Sequence, residues 1–159
     1  MLILDVDGVL TDGRVYYGAR GEQLQCFNIR DGHGLKSLAQ AGVVIVILSG
    51  RRSAAVVRRS RELGIRHVVQ GSGDKVRDFR ALARKLGVTA AQCAFIGDDS
   101  PDVPLLREVG LAFAVADAHP SARAAAHHTT RLAGGCGAVR EVCDRLLAAR
   151  SAAPHGSGH

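Results

Sequence analysis

Asp5 and Asp7, two residues apart, follow the apolar run at 2–4, and Asp98, Asp99 and Asp102 crowd a second stretch, GDDSPD. Adjacent carboxylates raise one another's pKa unless a cation neutralises them. Mg²⁺ suits such a set, because it takes a few carboxylates and completes its shell with water and phosphate oxygens. DVDG is not an EF-hand loop, since Val9 and Leu10 stand where an oxygen ligand and a glycine are needed. Two further motifs add phosphate-binding chemistry: Ser49 with Gly50 and Arg51, and Lys75 after GSGD. Lys75 opens a helical pattern, where the dipole disfavours a cation by a few tenths to about 1 kcal/mol. A phosphate bound there would reverse that sign. Taken singly, each motif has a plainer explanation: a polar turn, acids at a helix start, a capping serine, a surface lysine. Their common placement is the signal.

That placement follows from the elements. Apolar runs at 2–4 (LIL), 43–48 (VVIVIL), 67–70 (HVVQ), 93–96 (CAFI) and 111–115 (LAFAV) read as buried parallel strands. Helical periodicity covers 31–42, 53–64, 74–87 and 138–150, with Asp74 as an N-cap and Gly42 and Gly87 as stops. The alternation predicts an α/β fold, a Rossmann-like parallel sheet with helices on both faces. Ligands in such sheets bind at the carboxyl ends of the strands. Those ends carry Asp5 and Asp7, then Ser49, then the loop to Lys75, then Asp98 and Asp99. Residues 14–29 break the alternation and read as a β-hairpin with its tip near Gly18–Gly21. One domain over 1–150 is expected, followed by a small, polar, disordered tail at 151–159.

Composition narrows the function. The chain has 159 residues, a formal charge of +6 and no tryptophan. Bases would have few aromatics to stack on, and no nucleic-acid-binding motif is present, so the charge favours a small anionic substrate over nucleic acid. No apolar run approaches the roughly 20 residues of a membrane span, and the start lacks the basic segment of a signal peptide. Cys26, Cys93, Cys136 and Cys143 form no CxxC pair and read as reduced, mostly packing residues of a cytoplasmic protein. His33, His127 and His128 lack metal-ligand spacing.

DVDGVLTDG, SGR, Lys75 and GDDSPD together resemble the four signature motifs of the haloacid dehalogenase phosphatase superfamily. FNIRDGHG (27–34), VADAHP (115–120) and GGCGAVREVCD (134–144) resemble one branch, the 3-deoxy-D-manno-octulosonate 8-phosphate phosphatases. The resemblance implies Asp5 as a nucleophile that forms an aspartyl-phosphate, and Asp7 as the general acid and base. It implies Mg²⁺ held by the Asp5 and Asp98 side chains and the Asp7 carbonyl, with Asp99 in support. Ser49, Gly50 and Lys75 would bind the phosphoryl group, and Arg30 and Arg51 the sugar acid. The nine-carbon sialate phosphatases carry an acidic residue in place of Arg51. Cys136 departs from the branch, where many relatives have Arg or another polar residue. No insertion is long enough for a cap domain, so the hairpin would act as a flap. The family's solution is a homotetramer in which hairpins pair, burying Tyr16, Tyr17 and Phe27. The alternatives are a phosphatase for a nine-carbon or other sugar phosphate, or a non-catalytic oligomerisation module related to those attached to sialate cytidylyltransferases.

Overall fold

The computed structural model describes residues 1–21 and 23–152. Its centre is a parallel sheet built from β1 (Leu2–Leu4), β4 (Ile45–Ser49), β5 (His67–Gln70), β6 (Ala94–Gly97), β7 (Leu111–Ala114) and β8 (His128–Thr129). The order is β5-β4-β1-β6-β7-β8. Two short strands, β2 (Tyr16–Tyr17) and β3 (Gln23–Leu24), form the separate antiparallel hairpin expected from the sequence. Among the described residues nothing larger than this hairpin stands between β1 and the first helix, so no cap domain covers the sheet.

The central strands are apolar because both their faces are covered. Leu2, Ile3 and Leu4 of β1 and Phe95 and Ile96 of β6 are all buried. The chain leaves β1 through α1 (Ile29–Gln40) to β4 and then through α2 (Ala54–Leu63) to β5, moving towards one edge. It returns through α3 (Lys75–Leu86) to β6, then steps outward through α4 (Val103–Glu108) and α5 (Pro120–Ala125). Right-handed crossovers running in opposite directions put α1 and α2 on one face and α3, α4 and α5 on the other. The packing agrees: α1 touches α2 and α6 (Ala138–Ala152), while α4 touches α3 and α5. The direction reverses beside β1, which makes its carboxyl end the switch point of the sheet.

Helix boundaries follow local capping. Asp74 accepts from the Arg77 N–H at 3.0 Å, and Ser53 accepts from Ala55 at 3.2 Å. Helix α1 begins two residues earlier than the sequence reading, because Asn28 is its cap and accepts from Arg30 N–H. Asp31, whose position suggested a helix start, is instead buried in the first turn and accepts from the Arg140 N–H at 2.8 Å. It caps α6 from a distant part of the chain. Helix α6 runs on to Ala152, so Ser151 and Ala152 are helical rather than part of a disordered tail; 153–159 lie outside the described residues. Helices α4 and α5 and strand β8 are each too short to show a period in the sequence.

Leu38 on α1 has no exposed surface and belongs to the same core as β1. Leu38→Ala is expected to lower the unfolding free energy by about 2–5 kcal/mol, read as a lower urea midpoint with an unchanged slope.

Candidate active site

The turn after β1 is wound tightly by one buried side chain. Thr11 has no exposed surface, and its Oγ1 donates to the Val6 carbonyl and accepts from Gly8 and Gly13 N–H groups. Leu10 and Thr11 N–H groups also converge on the Val6 carbonyl. Gly8 sits at φ +86°, and a Cβ there would collide with Asp98 Oδ2. Glycine is therefore required both by the backbone and by the carboxylate beside it. A second glycine packs on the same turn: a Cβ at Gly134 would strike the Gly8 carbonyl. Gly134 is fixed from outside by Asp117, whose Oδ1 accepts its N–H at 2.9 Å.

The neighbouring loops are tied to each other as well. The Ser72 N–H donates to the Ser49 carbonyl and the Gly71 N–H to the Arg51 carbonyl. Ser49 Oγ accepts from Arg51 N–H at 3.2 Å. The result is a cavity of about 650 Å³ at the carboxyl edge of the sheet, lined by Asp5, Asp7, Ser49, Gly50, Arg51, Lys75, Asp98 and Asp99. Every residue singled out in the four sequence motifs thus meets in one place. Arg30 does not. It stands on the exposed first turn of α1 and lines a different cavity with Cys136 and Arg140.

Within the cavity, Asp5, Asp98 and Asp102 bring carboxylate oxygens within 4.8 Å of one another. Lys75 Nζ lies 3.0 Å from Asp5 Oδ1 and 2.6 Å from Asp102 Oδ1. The cation that the α3 dipole disfavours is thus held by two carboxylates. Asp102 Oδ2 accepts from the Asp98 and Asp99 N–H groups at 2.9 and 3.3 Å. Asp102 therefore shapes the loop that presents Asp98. Asp99 stands outside this cluster; it is exposed, and its Oδ1 accepts from Ser100 N–H at 2.6 Å. Asp7 is held separately, by Gln25 Nε2 at 2.7 Å and more loosely by Arg51 at 3.9 Å.

Comparison with known proteins assigns this arrangement. Residues 62–140 match the haloacid dehalogenase-like hydrolases. The 3-deoxy-D-manno-octulosonate 8-phosphate phosphatase KdsC of Yersinia pestis is 47% identical over 150 residues, which is 94% of this chain and 80% of the relative. The chain belongs to this phosphatase family. The crystal structure of the Y. pestis enzyme superposes with a TM-score of 0.93 over 94% of this chain and 81% of that one, at 47% identity. The Moraxella catarrhalis family member, solved with magnesium, phosphate and KDO, is 43% identical with a TM-score of 0.92, over 93% of this chain and 85% of that one.

The donor set fits a divalent ion on its own chemistry. Burial pushes Asp98 up to about 8, with Asp5, Asp102 and Asp99 adding repulsion that Lys75 only partly offsets. Burial also raises Asp5 to about 6; Lys75 opposes the rise and Asp102 adds to it. Burial works against the charge on Lys75, but Asp5 and Asp102 outweigh it and keep the ammonium above the ordinary lysine value. One lysine does not satisfy the cluster, and a bound cation would.

Two residues of this site, Thr11 and Gln25, are not among those the sequence points to. Asp102 is named by its stretch, and its loop-shaping role is legible in the Asp-x-x-Asp spacing of 99 to 102, the signature of an acidic capping box. Thr11 and Gln25 carried no such signal, since their partners depend on how the loop and the hairpin fold back.

These shifts set a pH dependence. Both folded-state values lie above the ordinary 3.8, so the stability they contribute is fully present below that value and is lost as pH rises through about 6 and then about 8. The metal-free protein should melt at a lower temperature at about pH 8.5 than at about pH 5.5, and saturating Mg²⁺ should flatten that slope. Titration calorimetry in two buffers of different ionisation enthalpy should show about one proton released per Mg²⁺ near pH 7.

Proposed function

We propose that the chain hydrolyses 3-deoxy-D-manno-octulosonate 8-phosphate to the free sugar acid and phosphate, supplying lipopolysaccharide precursor synthesis. The observation that carries this reading is the meeting of Asp5, Asp7, Ser49, Lys75 and Asp98 in one cavity at the sheet's switch point. Near-full-length identity of 47% to phosphatases of that substrate supports it.

Asp5 serves as nucleophile. It is buried, close to Lys75 and at the strand end, so its free oxygen attacks phosphorus while the ammonium attends the phosphoryl oxygens. Ser49 and the Gly50 backbone bind the remaining oxygens. Asp7 donates a proton to the departing sugar oxygen and later takes one from the water that cleaves the aspartyl-phosphate. The Asp5 and Asp98 carboxylates and the Asp7 carbonyl would hold Mg²⁺, with Asp99 in support. That carbonyl accepts no hydrogen bond among the described residues. Bound there, the ion offsets the charge of the carboxylates and of the phosphoryl group. Arg51, on the cavity wall, pairs with the sugar carboxylate. Arg30, outside the cavity, is left without a role at its own chain's site.

Phosphate release should be greater from the eight-carbon substrate than from sialate 9-phosphate or hexose phosphates. EDTA should abolish it. Asp5→Asn should lower the rate on the order of a thousandfold or more, the scale for losing a nucleophile. A rate indifferent to Asp5→Asn would remove the reading.

We also propose that the chain works as a homotetramer in the cytoplasm, with the hairpins at the subunit contacts. No described helix is long and apolar enough to cross a membrane. All four cysteines are free, and Cys26 and Cys136 are exposed, as suits a reducing compartment. On the hairpin, Tyr16, Tyr17 and Leu24 are 50%, 68% and 62% exposed. Phe27, by contrast, packs on the core of its own chain. A tetramer is expected by light scattering, and Tyr16→Glu with Leu24→Glu should shift it to smaller species.

A further inference from the structure

Gln23 and Gln25 lie two residues apart along an extended segment, so their side chains leave the same face of the hairpin. That face is turned to the active-site cavity. Gln23 Oε1 accepts from the Arg51 guanidinium at 3.4 Å. Gln25 makes two shorter bonds: Nε2 donates to Asp7 Oδ1 at 2.7 Å, and Oε1 accepts from the Ser53 hydroxyl at 2.6 Å. Leu24, between them, is opposite Tyr16 in the hairpin register and is exposed.

The direction of the Gln25 amide follows from the proton inventory. Ser53 Oγ already accepts the Ala55 N–H that caps α2, so its own proton is available to Gln25 Oε1. The amide nitrogen therefore faces Asp7. Turning the amide round would set its oxygen against an acceptor carboxylate and its NH₂ against a hydroxyl already placed to donate. Asp7 is in consequence gripped by one oxygen only. Gln25 and Arg51 both address Oδ1, and among the described residues Oδ2 makes no hydrogen bond.

We propose that Gln25 is a positioning residue for Asp7: by donating to Oδ1 it makes that oxygen the permanent acceptor and leaves Oδ2 to carry the transferable proton. This rests on the acid–base role given to Asp7 above. In the first step a bond forms between an Asp5 oxygen and phosphorus as the ester P–O bond breaks. The Asp7 Oδ2 proton passes to the departing oxygen, so the sugar leaves as a neutral alcohol and Asp7 remains as carboxylate. Without Gln25 the carboxyl can rotate about χ2 and present the unprotonated oxygen. An alkoxide is a poor leaving group and needs that proton. A p-nitrophenolate does not.

The discriminating measurement is kcat/KM, which reports steps up to the first irreversible one, on the sugar-acid phosphate and on p-nitrophenyl phosphate. Gln25→Ala and Gln25→Leu should lose on the order of ten- to a hundredfold on the sugar substrate, mostly in kcat, a partial loss of the roughly hundred- to ten-thousandfold that general acid catalysis contributes. On p-nitrophenyl phosphate the loss should stay below about threefold, because that step needs no acid. Ser53→Thr, which keeps the hydroxyl, should behave as wild type, whereas Ser53→Ala should repeat the leaving-group pattern in weaker form. Equal losses on both substrates, or none, in both Gln25 variants would overturn the proposal. Asp7→Asn separates the two readings. If it shows the leaving-group pattern and the Gln25 variants do not, only Gln25 is misassigned; if it shows no such pattern, the role of Asp7 falls and this inference falls with it.

Discussion

Three carboxylates whose oxygens lie within 4.8 Å of one another cannot all be charged in a largely buried cavity without cations beside them. That repulsion organises the site. Lys75 answers part of it, bridging Asp5 and Asp102 from the first position of α3. Asp102 is further occupied by two backbone N–H groups, which leaves Asp5 sharing one ammonium and Asp98 with no ion pair among the described residues. A half-neutralised cluster of this kind is poised for a hard divalent ion, because the positive charge brought in relieves a repulsion already present and makes room for an anionic phosphoryl group beside it. The stability given up in holding these acids together is the source of the affinity for what they bind.

Holding mutually repelling groups in place needs a stiff surround, and the surround is mostly backbone. Thr11 knots the turn that carries Asp5 and Asp7. Gly8 lets Asp98 come closer than any side chain at that position would allow, and Gly134 lets a remote loop press on the Gly8 carbonyl. Asp117 and Asn28 then fix that remote loop, through the Gly134 N–H and the Gly135 carbonyl. Segments more than a hundred residues apart thereby meet at a single turn. This gives a physical reason for the FNIRDGHG, VADAHP and GGCGAVRE stretches that owes nothing to substrate contact: they buttress the turn after β1.

What could be read in the sequence is what depends on local pattern. The buried strands announce themselves as short β-branched runs, and α2 and α3 by their caps and period. The catalytic motifs could be placed because parallel sheets present ligands at one edge, a rule that needs only the order of elements. What could not be read is what depends on where the chain returns. Asp31 looks like a helix start and is a buried cap for α6 instead, a role set by a contact 109 residues away. Arg30 looks like a substrate arginine by its neighbours in sequence, yet the first turn of α1 aims it at a cavity with Cys136 and Arg140. Helix α4 has only 6 residues, fewer than two turns, and no periodicity can reveal it.

The hairpin joins the two halves of the problem. A strand of alternating side chains has two faces, and in this hairpin they differ in chemistry. Gln23 and Gln25 lie inward on Arg51, Asp7 and Ser53, while Tyr16 and Leu24 lie on the other face, exposed. A one-residue slip in register would exchange them, sending the polar pair out and the apolar pair onto the acids. Register is held at the tip by the Gly21 N–H donating to the Gly18 carbonyl, and at the base by Asn28, which caps α1 and also bonds the Gly135 carbonyl. The side chains that meet the acid and those that meet open space thus alternate along one short segment, and its backbone register decides which is which.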